Sequence, residues 1–172
     1  YGKWIFAHNG NLKNLNSYKD KLIEEVDAEL RRFILGSTDS EIIFFLILTF
    51  IKKSYPLSER DIPLKDLKTA IENAFKLITS YSGALCIDEN PYPSENHLTF
   101  ILTSGSTMVA FNGGQHLHYS TYKSKCSERD TCPYFDQICE SKSEVGDKVN
   151  HLIFSSEILQ GENKWIDIQK GQ

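Results

Sequence analysis

Apolar residues recur along this chain with two different periods, and the change of period marks how it is organised. Residues 3–7 (Lys-Trp-Ile-Phe-Ala) are rich in aromatic and β-branched types and run up to Asn9-Gly10, which predicts a strand followed by a tight turn. Between Leu12 and Leu30 the apolar positions Leu12, Leu15, Tyr18, Leu22, Val26 and Leu30 fall at spacings of three and four, as on a surface helix or helical pair. Residues 32–35 predict a short strand broken at Gly36. A helix is expected over about 40–53, where an apolar run covers residues 42–51. A second helix is expected over about 64–81, with Pro63 at its first turn, Gly83 past its end, and Leu67, Ala70, Ile71, Ala74, Phe75 and Ile78 on one face.

After residue 83 the pattern is that of strands. Residues 98–103, a turn at Ser104-Gly105, and residues 108–111 predict a hairpin. Residues 116–122 predict a third strand, 149–155 a fourth and 165–168 a fifth. Residues 123–147, polar and carrying three of the four Cys, look like an inserted loop. Cys86 reads as a small core residue. The order of one strand, two helices and an antiparallel meander indicates an α+β fold, with helices packed on a mostly antiparallel sheet.

Composition narrows the function classes. The chain has 172 residues, 40% hydrophobic and 24% charged, which suits one globular domain and not a disordered segment. A net charge of -4 argues against a basic nucleic-acid footprint over the domain. Lys123, Lys125 and Arg129 are interleaved with Glu128 and Asp130, a mixed solvated loop and not a phosphate-binding stripe. There is no basic segment followed by an apolar one at the start, as a signal peptide requires. The run at 42–51 is about half of the roughly 20 residues needed to span a bilayer. Four Cys are too few for a disulfide scaffold, so a cytoplasmic, reduced protein without membrane partners is expected.

Three segments can carry chemistry. The first is Phe6-Ala7-His8-Asn9-Gly10-Asn11. Its Asn side-chain amide and Gly backbone N–H are two donors that can converge on an oxyanion, with no Cβ on Gly10 to block the approach; the alternative is a plain Asn-Gly turn. The second is Gly36-Ser37-Thr38-Asp39-Ser40-Glu41. As a capping box, Thr38 accepts from the N3 amide while Glu41 reaches back to the cap. In the sharper reading the Asp39 carboxylate faces a cavity and binds an ammonium group. The third is Ser155-Ser156-Glu157-Ile158-Leu159, followed by Trp165, a strand end and loop when taken alone. A zinc site built from Cys126, Cys132, Cys139, His116 and His118 is disfavoured, because C-x5-C-x6-C lacks the paired spacing of zinc ligands. No metal and no cofactor is assigned.

Taken in this order, the three segments resemble the class II glutamine amidotransferases, which are N-terminal-nucleophile (Ntn) hydrolases, and in particular their small stand-alone members. The likeness runs from Lys3 to Gln172 with residues 123–147 excepted. It implies an α/β/β/α sandwich whose first strands are missing, a single incomplete domain over 1–172. It implies that Asn9 and Gly10 are the oxyanion pair and that Asp39 binds the substrate α-amino group. Thr38 goes with Asp39 to the substrate pocket, and His8 stands beside the hole in a structural role. Ser155, Ile158 and Ser104 depart mildly from the family's usual residues. Residue 1, by contrast, is Tyr where the family has a nucleophilic Cys. The resemblance therefore places the nucleophile, and a carboxylate-binding Arg, upstream of Tyr1. It implies hydrolysis of the glutamine side-chain amide through a γ-glutamyl thioester, with an ammonia-accepting partner protein or water as the acceptor. It leaves open a γ-glutamyl peptide hydrolase, or a degenerate domain that binds a γ-glutamyl ligand or a partner. Residues 1–172 alone are expected to be inactive.

Overall fold

A computed structural model describes residues 1–87, 94–143 and 148–172. Strand β1 (Ile5–Asn11), helices α1 (Lys19–Glu25), α2 (Ala28–Arg31), α3 (Asp39–Lys52) and α4 (Leu64–Ser82), and strands β2 (His97–Thr103), β3 (Met108–Phe111), β4 (His118–Ser120), β5 (Ile153–Ser155) and β6 (Ile166–Asp167) follow in order. Two three-stranded antiparallel sheets form, β1-β2-β3 and β5-β4-β6. A mixed fold of helices and antiparallel sheet is what the hydrophobic pattern indicated.

Helix α3 is apolar around most of its circumference because it is buried on most sides, against α4, α1, α2 and β1. Ile42, Ile43, Leu46, Ile47 and Leu48 are all fully buried. Its one buried polar side chain, Thr49, is satisfied twice: its hydroxyl donates to Phe45 O (2.8 Å) and accepts from Asp27 N (3.0 Å). Helix α4 is amphipathic and buries Leu67, Ala70, Ile71, Ala74 and Ile78. It ends at Gly83, whose φ of 85° is the left-handed geometry glycine adopts without strain.

Strand alternation sorts the first sheet into two faces. Phe6 and Phe100 face the helices, with Phe44 of α3 stacked on Phe6 and Phe75 of α4 edge-on to Phe100. Ala7, Asn9, Thr99 and Ile101 look the other way, toward the second sheet, and border a cavity with Phe154 and Leu117. Among the described residues the four α-helices pack together on the first of these faces.

Several local expectations change. Residues 32–35 form no strand, because their backbone donors are used locally. Phe33 N donates to Leu30 O and Ile34 N to Arg31 O, as the end of α2 unwinds. Leu35 N and Gly36 N donate to the Glu41 carboxylate at 2.9 and 2.7 Å. The capping box is thus half formed: Thr38 Oγ1 accepts from Glu41 N at 3.4 Å, while Glu41 reaches beyond the cap residue to the two preceding amides.

The meander also breaks in two. After β3 the chain leaves the first sheet at Asn112-Gly113-Gly114, and the strand expected over 116–122 contracts to 118–120 in the second sheet. Gly114 has φ 115°, and a Cβ there would lie 2.3 Å from Cys86 O, so only glycine fits this crossing. Thr99 pins it: its Oγ1 accepts from Gly113 N (3.1 Å) and Gln115 N (2.9 Å). The strands expected over 149–155 and 165–168 are likewise shorter, at 153–155 and 166–167. Within the segment expected as an inserted loop, residues 137–140 form a 3-10 turn, and 144–147 lie outside the described residues. Cys86 is half-buried and not a core residue.

Candidate active site

Asn9 and Gly10 do not make a turn. They lie inside β1, in register with Thr99 and Leu98. Glycine is required at position 10 because β1 and β2 approach closely there: a Cβ would sit 2.0 Å from His97 O and 2.4 Å from His8 Nε2.

The ladder fixes which way the backbone of Gly10 points. Leu98 N donates to Gly113 O, on the β3 side of β2. Leu98 and Gly10 are therefore a pair without mutual hydrogen bonds, and the N–H of Gly10 is directed to the other edge of β1. Among the described residues that edge is unpaired, with β1 terminal in its sheet. The Asn9 side chain stands on the face turned to the second sheet, is exposed, and has no hydrogen-bond partner among the described residues. Beside it opens a cavity of about 320 Å³, also lined by His8, Thr99, Ser155 and Ser156. Two adjacent, unengaged donors at one open edge can stabilise a negative oxygen placed between them.

His8 occupies the opposite face of β1. Its Nε2 lies 3.1 Å from His97 O and its Nδ1 2.9 Å from Ser40 Oγ. A carbonyl only accepts, so Nε2 carries the proton and Nδ1 accepts from the serine hydroxyl. Burial holds the imidazole below its ordinary pKa of 6.5, a shift that the His97 carbonyl and the Asp39 carboxylate partly offset. Both ring nitrogens are thus engaged, and His8 links β1 to β2 and to the first turn of α3.

Asp39 is the first residue of α3, where a negative charge suits the helix N-terminus. Its Oδ2 accepts from Leu12 N (2.9 Å) and its Oδ1 from Ser40 N (2.7 Å). The carboxylate thus ties the helix to the residue just after β1. Asp39 is not among the residues that line the cavity beside Asn9. Each oxygen keeps a lone pair for a further donor. Thr38 is exposed and serves as the N-cap of α3.

The structure therefore gathers His8, Asp39 and the helix cap around Ser40, and sets Asn9 and Gly10 at the adjoining sheet edge. Ser40 stands in the sequence only as a member of the helix-start segment, directly after Asp39, with no role of its own. Ser155 and Ser156 were noticed only as a strand end, and now line the cavity beside Asn9. No cysteine is among those lining residues. Cys126 and Cys139 are buried in the segment after β4, beside Lys123 (3.7 Å from the Cys126 sulfur) and Asn150 (3.2 Å from the Cys139 sulfur). The rings of His116 and His118 lie parallel with centroids 6.3 Å apart, and His118 Nδ1 is held by Asp167 at 2.6 Å. Among the described residues no three His, Cys, Asp or Glu side chains are grouped so as to hold a metal ion. No helix among them is long and apolar enough to cross a membrane.

Comparison with known proteins bears on this geometry. The family model described as "Glutamine amidotransferases class-II" matches residues 2–172. A Haemophilus influenzae protein named "Putative glutamine amidotransferase" is 27% identical over 171 residues, 98% of this chain and 48% of that protein. A Saccharomyces cerevisiae protein named "Probable glutamine amidotransferase DUG3" is 33% identical over 112 residues, 63% of this chain and 31% of that one. The chain thus spans about half the length, or less, of the curated relatives it matches.

Two solved structures share the fold. A glutamine aminotransferase class-II domain protein from Silicibacter pomeroyi matches with a TM-score of 0.58 and 18% identity, over 99% of this chain and 61% of that one. A "predicted glutamine amidotransferase" from Pseudomonas aeruginosa PA01 matches with 0.52 and 16%, over 98% and 55%. With a family model covering all but its first residue, the chain belongs to the class-II glutamine amidotransferases.

Proposed function

We propose that this domain hydrolyses the side-chain amide of glutamine through a γ-glutamyl thioester. The observation that carries the reading is the pair of unengaged donors at the open edge of β1, the Asn9 amide and the Gly10 N–H. A thiolate attacks the side-chain carbonyl carbon, and the negative oxygen that forms lies between these two donors. Ammonia then leaves with a proton, and water hydrolyses the thioester to glutamate. Asp39 takes the α-ammonium group of the substrate by a charge-assisted hydrogen bond, and Thr38 lies at its side. His8 and Ser40 hold Asp39 and β1 together.

The nucleophile is a cysteine outside residues 1–172. In support, no cysteine lines the cavity beside Asn9, and the resemblance described above implies a nucleophile at a mature N-terminus. The ammonia goes to water or to a partner protein. The test is a glutaminase assay of the full-length protein beside residues 1–172 alone. Glutamate release by the first and none by the second is the expected result. Release by residues 1–172 alone overturns the outside nucleophile.

A second reading has one observation in its favour. Among the described residues the outer edge of β1 has no neighbouring strand, and its backbone donors and acceptors could pair with one from a partner. A full-length protein that binds glutamine without releasing ammonia supports that reading over the first.

A further inference from the structure

Asn96 belongs to no motif in the sequence, yet it is 2% exposed and both polar atoms of its side chain are engaged. Its Nδ2 donates to Ser82 O (2.7 Å) and Ala84 O (3.1 Å), on either side of the glycine that ends α4. Its Oδ1 accepts from Lys13 N (2.7 Å), two residues beyond β1. We propose that Asn96 is a positioning residue for recognition of the substrate's α-ammonium group, acting through the Leu12-Lys13 backbone to orient the Asp39 carboxylate. This role rests on the reading of Asp39 as the group that takes the ammonium.

Two donors aim the carboxylate. Ser40 N, which gives to Oδ1 at 2.7 Å, belongs to the next residue and travels with α3. Leu12 N, which gives to Oδ2 at 2.9 Å, comes from 27 residues away and relates the carboxylate to β1, and so to Asn9 and Gly10. That second donor has no ladder behind it. The pairing of β1 with β2 ends at Asn11 opposite His97, so side chains must hold the backbone that follows.

Lys13 carries three such ties. Its N–H goes to Asn96 Oδ1, and its carbonyl accepts from the Tyr18 hydroxyl at 2.6 Å. The third, an ion pair of Lys13 Nζ with Glu95 at 2.7 Å, joins side chains 44% and 32% exposed, where solvent screening leaves little. Asn96 directly precedes β2 and grips the end of α4, so its tie refers the loop to two long elements at once.

The chemistry of the side chain suits this place. One end must accept from an amide and the other must donate to carbonyls, which a carboxamide does and a carboxylate does not. Released from Asn96, the Leu12-Lys13 segment no longer holds its amide against Oδ2, and the carboxylate turns. A charge-assisted hydrogen bond weakens steeply with misalignment. Asn9 and Gly10 meanwhile stay where the ladder to β2 puts them. Substrate binding suffers and the chemical step does not. None of the residues making these contacts lies in β1 or lines the cavity beside Asn9.

The experiment is steady-state kinetics on the full-length protein, with glutamine and with an analogue lacking the α-amino group. Asn96→Ala is expected to raise KM for glutamine roughly tenfold, the loss of most of one hydrogen bond to a charged group. Its kcat should stay within about twofold, and KM for the analogue should not move. Thr49→Val is the control for lost stability alone. Thr49 is equally buried and ties α3 to the start of α2, not to the loop, so this variant should keep the parental preference for glutamine. An Asn96→Ala variant that loses both substrates alike, or keeps the preference, overturns the proposal. Where that variant does not fold, Tyr18→Phe frees Lys13 from its other side. A rise in KM for glutamine alone then supports the role of the loop, and an unchanged preference overturns it. Asp39→Asn in the same assay separates the two readings. If it keeps the preference for glutamine, the ammonium reading of Asp39 fails and the role of Asn96 with it. If it loses the preference while Asn96→Ala keeps it, only the role of Asn96 fails.

Discussion

His8 Nδ1 and Ser40 Oγ, 32 residues apart, are joined by a 2.9 Å hydrogen bond that fastens β1 to the first turn of α3. The bond matters because the two elements carry different parts of the candidate site. β1 presents Asn9 and Gly10, while α3 presents Asp39. Ser40→Ala leaves the His8 nitrogen without its donor in a half-buried place, at a cost of about 1–3 kcal/mol. A urea or thermal unfolding series should show that loss. Stability equal to that of the parent protein would mean the bond contributes nothing.

His8 also makes stability depend on pH. In the unfolded chain its imidazole takes a proton as the pH falls through about 6.5, whereas in the folded protein burial delays that step to lower pH. Over the interval between, the unfolded state binds more protons, so stability decreases as the pH drops below about 6.5. It levels off once the folded imidazole is itself protonated. Burial and the Lys123 ammonium shift His151 in the same direction, so it adds to the same slope. Asp27 and Glu162, held low by hydrogen bonds to their charged forms, lose their contributions only at more acidic pH, below 3.8 and 4.5. His8→Gln should therefore shrink, without abolishing, the drop in unfolding midpoint between about pH 7.5 and about pH 5.5. An undiminished drop in the variant would remove His8 as a cause.

Gly10→Ala tests the close approach of the strands. The added carbon meets a backbone carbonyl, which cannot swing aside as a side chain can, so β1 and β2 must separate. The expected destabilisation is about 3 kcal/mol, the upper part of the range for overpacking. A variant as stable as the parent would show that the strands have room at this point.

How much of this was legible in the sequence follows from the kind of interaction involved. Helices α3 and α4 and the β2–β3 hairpin could be read because a local period and a local cap specify them. Thr38, Pro63, Gly83 and Ser104-Gly105 all stand where those elements begin or end. The phantom strand at 32–35 could not be refuted from the sequence, since what removes it is Glu41, six residues further along, binding Leu35 N. Asn9-Gly10 looked like a turn for a similar reason. Glycine serves equally where a chain reverses and where two backbones nearly touch, and only the long-range pairing with His97 and Leu98 tells the two apart. Of the candidate site, Asn9, Gly10, His8 and Asp39 are legible as candidates from motif order alone. The serine that links two of them is not, because a hydroxyl next to a helix cap is common and its partner lies 32 residues away.

Asn9→Ala separates chemistry from binding. The Asn9 side chain is exposed and unpartnered among the described residues, so its truncation leaves the fold intact. Loss of one oxyanion donor lowers kcat by about 10² to 10³, corresponding to about 2.7–4 kcal/mol of transition-state stabilisation. KM should change little, because the donor acts mainly on a charge that the bound substrate has yet to develop. A normal kcat in a folded variant of the full-length protein would end the oxyanion role.

Asp39→Asn makes the complementary case. The amide oxygen of asparagine can still accept from Leu12 N, so the tie between α3 and β1 survives in part, while the negative charge is gone. If the carboxylate holds the α-ammonium group of glutamine, the variant loses a charge-assisted hydrogen bond of about 1.5–3 kcal/mol. That is roughly ten- to a hundredfold in KM, with kcat close to that of the parent because the contact is far from the reacting carbonyl. Comparing glutamine with an analogue lacking the α-amino group sharpens the test. The parent protein should prefer glutamine strongly and the variant should prefer it little. A variant with unchanged KM and undiminished preference would return Asp39 to the role its hydrogen bonds already show, that of a helix-end carboxylate fastening α3 to the end of β1.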